Sequence, residues 1–144
     1  MTVRAFAVPT EPVTDPVPRK LGLWASSRMQ AAGWRLRPGQ DISARMHPLA
    51  DGMIVVLAGE GEFQVFDEES PDAAAAYVPS AHYPLDAPPR RSLPEPSRHP
   101  VRPGMVCMAP AGCYYGLVNS GDEQLVAVAV TASDTSGTAW TVRG

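Results

Sequence analysis

GQDISARMHPLADGMIVVLAG, residues 39–59, is the stretch on which the fold turns. Pro38-Gly39 leads into it and Gly59-Glu60-Gly61 closes it; both are turn signals, because Pro fixes φ and Gly supplies positive φ at no steric cost. Between these corners, ISARMH and GMIVVLA are short runs with period-two or β-branched character, too short for helices and suited to strands. Short strands separated by tight corners build a β-sandwich or barrel.

The same reading repeats on both sides. LGLWASS and GWRLR come before; EFQVFD, MVCMA, CYYGLVN and QLVAVAVTA come after, punctuated by Pro103-Gly104, Pro110-Ala111-Gly112 and Ser120-Gly121-Asp122. No long helix is predicted, so the chain reads as all-β. Residues 1–20 hold Pro9, Pro12, Pro16 and Pro18, each lacking a backbone donor. They predict an extended arm that pairs only at a sheet edge or wraps a partner subunit. Residues 21–144 are then a single domain, interrupted at about 68–102 by Pro71, Pro79, Pro84, Pro88, Pro89, Pro94, Pro96 and Pro100. A segment of that length is either a solvated excursion or a lid over a pocket, and Tyr77, His82, Tyr83 and Leu85 give it side chains with which to dock.

Composition narrows the function. One domain is expected for 144 residues. The net charge is −3 and the 12 Lys and Arg are scattered, which excludes the basic footprint of a nucleic-acid binder. No run approaches the ~18 apolar residues of a membrane helix. The opening MTVRAFAVPTEPVTDP meets Pro and acid too early for a secretory segment, so a cytoplasmic location is expected. Cys107 and Cys113 have no CxxC spacing and read as reduced, buried thiols.

Two segments resemble the paired motifs of the cupin superfamily. In the first, Gly39, Arg45-x-His47, Gly52 and Gly59 fall at the spacings of the family's Gly, His-x-His, Glu and Gly. In the second, Gly104, Pro110-x-Gly112, Tyr115 and Asn119 fall at those of its Gly, Pro-x-Gly, His and Asn. The resemblance implies a jelly-roll β-barrel with glycines at its corners and Asn119 bonded to a turn. It also implies that Arg45, His47, Gly52 and Tyr115 hold the positions that carry metal ligands in many cupins. A guanidinium cannot coordinate a cation and Gly52 offers no side chain, so no metal and no other cofactor is expected. An unorthodox set drawing on Asp51, His82, His99 or Cys107 stays open.

By the same resemblance, Arg45, His47 and Tyr115 point into the barrel mouth. An imidazole titrating near neutrality, a phenol and a fixed cation make an acid–base site. The expected activity is isomerisation, cyclisation or dehydration of a small carbonyl or polyketide-like metabolite, with Met53, Met105, Cys107, His82 and Tyr83 as substrate-lining residues. Non-catalytic binding of a small molecule is the alternative. Met46 and Met108 read as core or pocket, Tyr114 as facing away from Tyr115, Trp24 and Trp34 as core or interface, and Trp140 as docked at an interface. A homodimer is expected, since an extended arm and open sheet edges invite pairing.

Overall fold

The computed structural model describes residues 4–47, 49–66 and 95–132. Alternation and corner chemistry produce nine strands there: β1 Arg19–Ala25, β2 Met29–Leu36, β3 Asp41–Arg45, β4 Gly52–Ala58, β5 Gly61–Phe66, β6 Ser97–Val101, β7 Val106–Ala109, β8 Tyr114–Val118 and β9 Leu125–Ala132. They form two antiparallel sheets, ordered β1-β2-β9-β4-β7 and β3-β8-β5-β6. The inner faces meet in a core that includes Leu36, Ile42, Ile54, Val56, Phe63, Leu117, Leu125 and Ala127. No helix among the described residues is long and apolar enough to cross a membrane.

The four glycines expected at corners all take positive φ: 86° at Gly39, 78° at Gly59, 92° at Gly104 and 84° at Gly112. Asn119, 1 % exposed, ties the end of β2 to the turn between β8 and β9. Its Nδ2 donates to the carbonyls of Leu36 (2.8 Å) and Glu123 (2.7 Å), and its Oδ1 accepts from the Gly121 N–H (3.0 Å). Asn119→Ala leaves those groups without a side-chain partner, so it should cost roughly 3 kcal/mol. An unchanged urea midpoint would refute that role.

Three expectations need correction. First, β6 lies inside the stretch read as a proline-rich interruption. Only Val101 of this strand is buried, so no alternation marks it, and Pro100 is tolerated opposite Glu62 because β6 ends its sheet. Second, the arm ends at Pro18, since Arg19 and Lys20 already pair in β1. Its middle is fastened to its own domain: Arg35 donates to the Glu11 carbonyl (3.1 Å), Gln40 to that of Asp15 (3.1 Å) and Gln124 to that of Thr10 (3.1 Å). Third, of the two readings of Trp24, core or interface, the core one falls: it is 39 % exposed and meets Phe6 edge-on at 6.4 Å. The segment 67–94, with Tyr77, His82, Tyr83 and Leu85, and the tail with Trp140 lie outside the described residues.

Candidate active site

The register of β3 against β8 shifts between Ile42 and Arg45, an irregularity of the β-bulge kind. Its consequence is a change of face. Ile42 packs in the core, Ala44 joins Phe66 and Tyr114 in a separate cluster on the outside of the smaller sheet, and Arg45 then turns inward. Arg45 is the Cα partner of Tyr115, and its guanidinium carbon stands 5.4 Å from the ring centroid of Trp34 on the opposite sheet. The indole face offsets part of the cost of holding a cation that is only 8 % exposed.

His47 follows two residues beyond β3. Its carbonyl accepts from the Gly112 N–H at 2.8 Å, which anchors it to the corner of the second motif. The side chain is 7 % exposed, its ring lies 6.5 Å from that of Tyr115, and neither ring nitrogen has a hydrogen-bond partner among the described residues. Burial, reinforced by the Arg45 charge, lowers its pKa below the ordinary imidazole value. His47 is therefore neutral at pH 7 and able to accept a proton.

Tyr115 crosses the barrel from β8. Its ring packs 6.0 Å from that of Phe63, and the side chain of Thr131 faces its hydroxyl closely enough to favour the phenolate slightly. Burial raises its pKa, only partly opposed by Arg45, so it stays a phenol and a proton donor. Thr131 and Gly52 are Cα partners in the facing sheet. The hydroxyl sits where a Cβ on Gly52 would be, and that Cβ would also stand 2.8 Å from Cζ.

The depressed pKa of His47 has a consequence for stability. The unfolded imidazole titrates near 6.5 and the folded one lower, so below 6.5 the unfolded state binds more protons. His47 thus favours the fold above that pH, and the contribution is lost as pH falls through the folded value. The wild type should lose more stability between pH 7.5 and 5.5 than His47→Gln, read as urea midpoints; parallel losses would refute the assignment.

Two facing antiparallel sheets, four glycine corners and three inward side chains at the motif positions are the frame against which known proteins compare. The family described as Cupin matches residues 13–143. This chain is a cupin. Among solved structures it resembles an uncharacterised conserved protein with a double-stranded β-helix domain from Klebsiella pneumoniae, with a TM-score of 0.63, 17 % identity and 92 % and 90 % of the two chains covered. A cupin superfamily protein from Desulfitobacterium hafniense gives a TM-score of 0.58 at 15 % identity, covering 85 % and 84 %. KdgF from Halomonas sp. gives 0.56 at 13 %, again covering 85 % and 84 %. Such identities speak for the fold alone. No curated protein matches the chain.

The ligand positions of this cupin do not fit the family's metal. Position 45 is a fixed cation, the space of a carboxylate at 52 is filled by the Tyr115 hydroxyl, and position 115 holds a phenol that burial keeps protonated. No three His, Cys, Asp or Glu gather into a metal cluster among the described residues. The Asp51 carboxylate accepts from the Ala111 N–H at 2.9 Å and so braces the corner. His99 is exposed on β6, 6.4 Å from the Phe63 ring. Cys107 opposes Ile54, one inward layer below Gly52 and Ala109, and burial raises its thiol pKa.

Of the expected lining residues, Cys107 and Met105 lie inside the barrel, in and against the core cluster. Met53 is a correction: between inward Gly52 and Ile54, it faces the outside of the larger sheet. Met108, 60 % exposed, shares that outer face, and Met46 packs on the Tyr114 cluster. His82 and Tyr83 lie outside the described residues. Three residues near the site were not anticipated in this role: Thr131, Trp34 and Lys20. A cavity of about 370 Å³ opens between β1 and β3 and is lined by Lys20, Trp34, Asp41, Ser43 and Arg45 among others. Alternation along β9 would have found Thr131; nothing local in the sequence marks Lys20.

Proposed function

We propose that this cupin carries out acid–base chemistry on a small carbonyl compound without a metal, as an isomerase, cyclase or dehydratase. His47 takes a proton from the carbon beside the carbonyl. Tyr115 gives its proton to the carbonyl oxygen and Arg45 stabilises the negative charge that develops there; in an isomerisation, reversal at a different carbon completes the transfer, in a dehydration the β-hydroxyl leaves as water with the proton His47 took, and in a cyclisation the enol carbon bonds to a second carbonyl whose oxygen takes that proton, Tyr115 recovering its own as the first carbonyl re-forms. Protons balance, and no electron acceptor is needed. The observation that carries this reading is a buried, neutral His47 whose ring nitrogens have no partner among the described residues, beside a buried phenol. Chance burial of an imidazole without partners would be costly, which favours a site that a ligand completes.

The reading takes a small molecule as its ligand. Association into a homodimer belongs to the same proposal, supported by exposed Leu57, Val106 and Met108 beside terminal strand β7. The direct test is proton exchange. In D2O, wild-type protein should wash deuterium into the carbon beside the carbonyl of at least one member of a panel of oxo acids, uronic acids and β-diketones, followed by proton NMR. Binding without wash-in across the panel would favour a non-catalytic receptor.

A further inference from the structure

We propose that the indole N–H of Trp34 holds a second oxygen of the substrate, so that this cupin takes a small carbonyl compound with two acceptor oxygens. Trp34 stands on the inward face of β2: its Cα partner in β9 is the fully buried Ala127, and its ring packs against the core cluster. Packing explains the ring but not the nitrogen. Nε1 is shut off from solvent and has no hydrogen-bond partner among the described residues. An indole N–H only donates, so no change of tautomer relieves it, and a buried donor left alone is costly. Trp34 also lines the cavity of about 370 Å³ between the sheets. An acceptor that enters this cavity completes the N–H, whereas a phenyl ring at the same position would need none.

That the acceptor is a second oxygen rests on the acid–base reading above. There the His47 lone pair takes the proton from carbon and the Tyr115 hydroxyl serves the reacting carbonyl oxygen, which leaves the Trp34 N–H without a role. Trp34 and Tyr115 flank one side chain: the guanidinium carbon of Arg45 lies 5.4 Å from the indole centroid, and Arg45 is the Cα partner of Tyr115. A donor on either side of one residue is matched by a ligand with two oxygens, and a monoketone leaves one donor unmet. An indole does not release its proton near neutrality. Trp34 therefore positions and selects the substrate and takes no part in proton transfer.

Acetylacetone and acetonylacetone, set against methyl propyl ketone and methyl butyl ketone, test it, since each dione matches one ketone in chain length and differs by one oxygen. The Trp34 indole N–H resonance is followed in the wild-type protein after assignment by elimination with Trp24→Phe and Trp140→Phe. At least one dione should move that resonance downfield and bind about tenfold or more tightly than its ketone. Trp34→Phe should abolish the preference by weakening the dione alone; the wild-type shift decides even where this variant fails to fold. His47→Ala should lose wash-in yet keep both the shift and the preference, which tells failure of the oxygen site from failure of the acid–base reading. An indole resonance that neither dione moves, equal affinity for dione and ketone, or a preference that survives in Trp34→Phe would overturn the proposal.

Discussion

Gly52→Ala is expected to destabilise the protein by about 2–3 kcal/mol, the opposite of what the substitution ordinarily does in a strand. Exchanging Gly for Ala there usually gains ~0.5–1 kcal/mol, because the unfolded chain has less freedom to lose. Here the added Cβ meets the Tyr115 hydroxyl and Cζ, and the ring has little room to retreat: it is 4 % exposed and packed on Phe63. Overpacking of this kind costs ~1–3 kcal/mol and outweighs the gain. Tyr115→Leu should itself cost ~2–4 kcal/mol as a large-to-small change. The double variant should nonetheless be more stable than the sum of the two losses by about 1–3 kcal/mol, since the new Cβ then occupies vacated space. Additive losses in denaturant titrations would show that the two positions do not share volume. One corollary concerns the family's metal: Gly52→Glu alone cannot place a carboxylate in the barrel, whereas Arg45→His, Gly52→Glu and Tyr115→His together clear the space and restore four donors. Only the triple variant should retain a divalent ion through dialysis.

His47→Ala is expected to lower the deuterium wash-in rate by about 10²–10⁴-fold, the range typical of a lost general base. His47→Gln should lose as much while preserving volume and polarity, which separates proton transfer from packing. The wild-type rate should rise with pH through a value below the ordinary imidazole pKa and then level, because the neutral ring is the reactive form and burial with Arg45 favours it. A wash-in rate that survives in both His47 variants would move the base elsewhere in the barrel.

Much of the architecture was legible because its signals are local. Corner glycines announce positive φ by residue type, and half-buried strands announce themselves by alternation, which is why β4, β5 and β7 to β9 are visible in the string. β6 was hidden because four of its five residues are exposed and one is Pro100. Met53 was misplaced by residue type, although the alternation from Gly52 through Ile54 to Val56 already assigned it to the outer face. Arg45 and His47 were visible as a motif, but the bulge that turns Arg45 rather than Ala44 into the barrel was not.

By itself the sequence determined the all-β plan, the corners, the family and the loss of the usual ligand types at positions 45, 52 and 115. Each follows from residue identity at a fixed spacing. The tertiary structure alone decided that the Tyr115 hydroxyl fills the space above Gly52, that the buried His47 ring has no partner among the described residues, and that Lys20 and Arg45 meet over Trp34. Those facts arise between residues from opposite sheets, far apart along the chain. Their distances are set by how two twisted sheets pack, and no local pattern carries that information.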